Sequence, residues 1–159
     1  MATVGISVTK FTVQYMLKDI ERDMPKMLPV KSYSVDLELE VDDELEQFLP
    51  AYISGYQDST SQDSTDRRII PEYSAPSSVV KKWKKILLKE YPDNFDAKIM
   101  KPDMVIDCAI SCTLEDSIKD ALEEIWDNTL AKSLNAEPEV PEGYRVAGRY
   151  IHLADWTVK

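Results

Sequence analysis

His152 is the only imidazole in the chain, and Cys108 and Cys112 are its only thiols. A catalytic nucleophile needs a base within hydrogen-bond reach, and that base is most often histidine. His152 lies in a terminal run of alternating polar and apolar residues, and no Gly-x-Ser-x-Gly turn exists to present a serine to it. It reads as a structural residue. The cysteines have no second pair with which to build a zinc ribbon. Taken as strand residues, they share a face with Cα atoms roughly 13 Å apart, too far for a disulfide. They are expected as small buried side chains. The four glycines, at 5, 55, 143 and 148, form no phosphate-binding loop.

Carboxylates are plentiful but poorly placed for a metal. Asp36, Glu38 and Glu40 alternate along one stretch, and on a strand such neighbours stand roughly 6.6 Å apart. Magnesium or calcium needs its oxygens within about 2.0–2.6 Å. Asp42-Asp43-Glu44 is denser but lacks the glycine and spacing of a calcium loop. Pro92-Asp93 followed by Asp96-Ala97-Lys98 faintly resembles the Pro-Asp…Asp/Glu-x-Lys pattern of a nuclease family. The two halves are nearly adjacent here instead of lying on separate parts of a strand-turn-strand unit, and that reading is set aside. The sequence therefore predicts no catalytic, cofactor-binding or metal-binding residue, no cofactor and no enzymatic activity.

What remains is charge arranged on helices. Acids outnumber bases 29 to 19 and the net charge is −10, which disfavours direct binding to nucleic acid or to an anionic membrane. One stretch goes the other way. From Pro76 to Lys101 there are seven lysines against three acids. Val79, Val80, Trp83, Ile86, Leu87 and Tyr91 keep helical spacing there, so Lys81, Lys82, Lys84 and Lys85 are expected to line an exposed band. Trp83 belongs to the apolar stripe and not to a base-stacking surface. A second band is acidic: Glu115, Asp116, Asp120, Glu123, Glu124 and Asp127 lie outside the stripe of Leu114, Ile118, Ala121, Leu122, Ile125 and Leu130. Lys81, Lys82, Lys84, Lys85, Glu115, Asp120, Glu123, Glu124 and Asp127 are the candidate partner-binding residues, with Tyr52, Tyr56 and Trp156 as apolar helpers.

The elements that must hold these bands are legible to differing degrees. Lys31–Val41 alternates strictly, with Tyr33, Val35, Leu37, Leu39 and Val41 on one side and serines and acids on the other. It predicts a strand with one dry face, burying Leu37 and Leu39 beside Ile106, Ile110 and Leu122. Val4, Ile6 and Val8 predict a short first strand. Val13, Met16, Leu17, Ile20 and Met24 predict a helix from Phe11 to Met24, stopped by Pro25. Asp42-Asp43-Glu44 starts a helix that runs, kinked at Pro50, to Gly55. Residues 57–68 are a polar loop containing Gln-Asp-Ser-Thr twice. Ser77 or Ser78 caps the lysine helix. Ala97–Met100 and Met104–Cys112 read as strands, the latter central because it is apolar on both faces. Thr113-Leu-Glu-Asp116 reads as a capping box opening the longest helix, to Leu134. Gly143–Leu153 closes the chain as a strand, with a bulge expected at Gly148 and Trp156 docked beyond it.

These elements predict a single α+β domain over residues 1–159. It has a mixed or mostly antiparallel sheet of four to five strands, with three to four helices packed mainly on one face. No apolar run is long enough to span a membrane, so the expected setting is the cytoplasm or a particle assembled there. The expected function is that of a non-enzymatic structural or adaptor subunit of a larger assembly, with copies of itself and other subunits as partners. A phage neck or tail component suits that character. The alternative is an acidic binding inhibitor of the immunity, anti-defence or nucleic-acid-mimicking type, acting through the acids between Asp36 and Glu46.

Overall fold

A computed structural model describes residues 3–60, 70–92 and 100–159. The class is α+β, with a four-stranded antiparallel sheet and about 42% of the chain helical. The strands are β1 (Thr3–Asp19), β2 (Pro25–Met27), β3 (Lys31–Glu40) and β4 (Tyr144–Val158). The helices are α1 (Asp43–Glu46), α2 (Leu49–Thr60), α3 (Ser77–Glu90), α4 (Pro102–Ile125) and α5 (Ala131–Ser133). A π-helical turn, Trp126–Leu130, separates α4 from α5.

β1 is the strand with which each of the others pairs. Its second half is not the helix that Val13, Met16 and Leu17 predict. Val4, Ile6 and Val8 are buried, Thr9 and Lys10 both face water, and burial resumes one residue out of phase at Phe11, Val13 and Leu17. Two exposed residues in succession are the mark of an inserted residue in a strand. That slip hides the continuity, because a spacing of four is both two strand repeats and about one helical turn. The polar residues assigned to a helix face instead finish β1 and its turn. The Asp19 carboxylate accepts the N–H groups of Glu21 and Arg22 at 2.9 and 3.2 Å, and Asp23 takes φ 52°. This side-chain turn reverses the chain into β2.

β2 pairs antiparallel with β1, Met16 opposite Met27 and Leu17 opposite Lys26. β4 meets the same end of β1 through the Ile20 N–H and the Gly143 carbonyl, 2.9 Å apart. A strand has two edges, so β2 and β4 flank β1 on opposite sides. β3 forms as the alternation predicts, but Leu37 and Leu39 are half-buried where full burial is expected. Its serines and acids are exposed. β4 runs five residues further than Leu153, drawing Trp156 into the sheet. A Cβ on Gly148 would lie 3.3 Å from the Tyr150 hydroxyl, so glycine there makes room for that ring.

Met104–Cys112 is helix, not strand. α4 buries Val105, Ile106, Ala109, Ile110, Leu114, Ile118 and Leu122, a spacing of four. The apparent alternation arose because both faces of a short apolar run are apolar, and periodicity alone cannot separate a buried strand from a buried helix. Thr113 opens no helix: its hydroxyl donates to the carbonyls of Ala109 and Ile110, a satisfied position inside α4. Cys108 and Cys112 consequently stand one turn apart on α4, half-buried, and not along a strand. Pro50 falls in the first turn of α2, where its missing N–H has no intrahelical acceptor to lose. The expected kinked helix is thus two helices, with Asp42 capping α1 through the Glu44 N–H at 2.9 Å. Gly55 does not end α2, which continues to Thr60, so the predicted loop begins later. Its remainder, like the predicted strand at Ala97–Met100 apart from Met100 itself, lies outside the described residues. α3 starts after Pro76 without a side-chain cap from Ser77 or Ser78.

The chain falls into two compact units. One is drawn from Met1–Val4, Glu38–Asp116 and Val158–Lys159, the other from Gly5–Leu37 and Ser117–Thr157. In the first, Leu45, Tyr52, Leu87, Ile106 and Ile110 are fully buried, and the Tyr52 hydroxyl meets Ser111 at 2.8 Å. Tyr52 is therefore core and cannot serve as a surface contact. Asp107, 7% exposed, accepts the Tyr73 hydroxyl at 2.5 Å. In the second unit Phe11, Tyr33 and Trp126 form an aromatic cluster with centroids 5.4–5.8 Å apart.

Candidate functional site

The lysine band lies on α3 as the stripe predicts. Trp83 and Leu87, one turn apart, are buried and anchor the helix. Lys81, Lys82 and Lys85 are exposed and Lys84 is half-exposed. With Leu88 they line a shallow hollow whose floor is mostly apolar. Four ammonium groups around such a hollow attract carboxylates or phosphates as point charges, without the bidentate geometry of arginine.

One of the four is already committed. Glu44, held at the start of α1 by Asp42, accepts Lys82 Nζ at 2.9 Å and Trp83 Nε1 at 2.8 Å. The Lys82 hydrogen bond, with help from Trp83, keeps the Glu44 carboxyl below its ordinary 4.5. The same bond pushes the Lys82 ammonium up. Lys82 therefore works within the first unit, while Lys81, Lys84 and Lys85 carry the band's available charge. The sequence placed Glu44 at a helix start but gave no sign of this clamp.

The acidic band divides likewise. Asp120, Glu123, Glu124 and Asp127 are exposed, and Glu115 is half-buried. Arg149 on β4 donates through Nη1 to Glu123 at 2.7 Å and through Nη2 to Asp127 at 2.8 Å. Burial opposes the guanidinium charge, but bonds to Asp127 and Glu123 together raise its pKa further. Asp116 accepts the Tyr91 hydroxyl; burial first, and then this carboxylate, push the phenol's pKa well up. Among the described residues Asp120 and Glu124 make no ion pair, so the band's outward charge rests chiefly on them. Arg149 was missed in the sequence. The signal was present: two acids four apart on one helix face call for a forked donor.

A cavity of about 410 Å³ occurs in the second unit, lined by Val13, Tyr15, Leu28, Lys31, Tyr33 and the 135–139 connector. Its size is that of a small-molecule site. Burial, and then the neighbouring Tyr15, raise the Tyr33 phenol. The cavity contains no nucleophile paired with a base. His152 is exposed on β4, away from these lining residues. Among the described residues no three histidine, cysteine or acidic side chains gather as a metal site, and no helix is long and apolar enough to cross a membrane. No family model, curated protein or solved structure matches the chain.

Proposed function

We propose that the chain is a non-enzymatic structural or adaptor subunit of a larger protein assembly, of the kind found in a phage neck or tail, acting through protein–protein contacts. The observation that carries this reading is the α3 surface: lysines surround an apolar hollow at Leu88 while Trp83 and Leu87 fix the helix from behind. Charge orients such a contact and the apolar floor supplies what exposed ion pairs, worth about 0–1 kcal/mol each, do not. The complementary surface is the Asp120–Glu124 side of α4 on another copy, and a head-to-tail contact of that kind closes into rings or runs on as filaments.

The test is the mass distribution of the purified chain by mass photometry and sedimentation at low salt. Reversing Lys81, Lys84 and Lys85 to Glu should disperse the assembly and spare the Glu44 clamp. Asp120→Lys with Glu124→Lys in a second copy should restore mixed assembly. A native chain that never exceeds a dimer would sink head-to-tail assembly. It would favour the second reading, an acidic inhibitor, whose support is the exposed row Asp36, Glu38 and Glu40 on β3. The discriminating arm is then capture of a basic partner by that row, lost when the three acids become Ser.

A further inference from the structure

β3 and β4 each pair with β1 alone among the described residues, so each leaves an edge of backbone donors and acceptors unmatched by another strand. The two edges are not guarded alike. β3 carries Asp36, Glu38 and Glu40 on its exposed face, and a copy laid beside it would gather the carboxylates of both chains on one side. β4 has fifteen residues and no proline. Val146 and Tyr150 on it are 44% and 54% exposed. Its charges are few: Arg145, Arg149 and Asp155.

Those three charges select a register. Two copies of β4 running antiparallel about a two-fold axis at Tyr150 set Arg145 opposite Asp155 of the second copy, and Asp155 opposite Arg145. The same register sets Tyr144 opposite Trp156, Val146 opposite Ala154, and Tyr150 opposite itself. Each residue meets one on the same face of the sheet, as antiparallel pairing requires. An axis at Ala147 would instead oppose Arg145 and Arg149. An axis at His152 would match Arg149 with Asp155, but Arg149 is already forked to Glu123 and Asp127, and Arg145 would face Lys159. Arg145 is available: its side chain is 54% exposed and its intrachain carboxylate, Asp23, is 3.7 Å away.

We infer that β4 joins β4 of a second copy in this register, making one continuous sheet across a two-fold dimer. The occupant of the edge is the chain itself because a strand whose charges are complementary to its own reverse is matched most simply by a copy. This contact uses no residue of the lysine band and does not rest on head-to-tail assembly.

Sedimentation equilibrium of Arg145→Asp, Asp155→Arg and the double variant tests it. Each single reversal should weaken the dimer by roughly tenfold or more, placing like charges at both ends of the joint, and the double reversal should restore it. Tyr150→Cys should give a disulfide-linked dimer under mild oxidation, since residues directly opposite in an antiparallel pair lie within disulfide reach. The native chain, which keeps Cys108 and Cys112, is the control. Reversing Lys81, Lys84 and Lys85 to Glu should leave this dimer intact, so its failure and that of the lysine contact read separately. A chain that is monomeric at every concentration overturns the proposal. So does a Tyr150→Cys variant that sediments as a dimer but does not cross-link, or a double reversal no tighter than the singles.

Discussion

The indole N–H of Trp126 donates to the Tyr15 hydroxyl at 2.8 Å, tying the π turn after α4 to the middle of β1. Trp126 is fully buried, so its N–H has no water to fall back on. Tyr15→Phe removes the acceptor and keeps the ring. The expected cost is about 1–3 kcal/mol, the usual penalty for a stranded buried donor. Urea unfolding followed by tryptophan fluorescence measures it; an unchanged midpoint would mean that Trp126 finds another acceptor.

Ile110 and Leu122 are fully buried while Leu37 is only half-buried. Ile110→Ala and Leu122→Ala should each cost about 2–5 kcal/mol, and Leu37→Ala distinctly less. Equal losses at all three positions, by the same melts, would contradict the burial described for β3.

Pro50 belongs to the first turn of α2 and not to the middle of a kinked helix. Pro50→Ala should therefore change stability by less than about 1 kcal/mol, mainly by loosening the unfolded chain. Ile53→Pro, inside the same helix, should cost about 3 kcal/mol or more. Thermal melts of the pair separate the two architectures: a strongly stabilising Pro50→Ala would point to an interior proline.

The Glu44 carboxyl is held below 4.5 by Lys82 and then Trp83. A depressed acid adds stability that is present above its unfolded pKa and is lost as pH falls through the folded value. Glu44→Gln should thus be less stable than the native chain at pH 7 and converge with it once pH drops below that depressed value. Parallel melts across the acid range check this; a gap that persists at the lowest pH would show that the clamp is steric and not ionic.

β3 could be read because every second residue from Tyr33 to Leu39 is apolar and every intervening one polar. α3 could be read because Trp83 and Leu87 stand one turn apart among lysines. α4 misled for a specific reason. Its buried residues from Ile106 to Leu122 recur every four positions, and each such step turns about 40° past a full circle. The buried stripe winds around the helix, so no fixed apolar face declares itself, and Met104–Cys112 passes for a strand. In β1 the displaced phase at Thr9–Lys10 did the reverse. The lysine band was visible as composition, whereas Glu44 and Arg149, which divide both charge bands into committed and available members, depend on pairing that only the fold creates.

β1 is the first element to leave the ribosome and β4 the last, yet they share an edge, with the Thr9 hydroxyl donating to Asp155 at 2.8 Å across nearly the whole chain. β2 and β3 can close on β1 while synthesis continues, since they follow it directly. The other edge of β1 must wait until translation ends, and long-range closure of this kind is slow. During that interval nascent chains on one message expose the same unfilled β1 edge to one another. A β4 released from one chain can fill the β1 of its neighbour, so crowded synthesis favours exchanged strands over closed monomers.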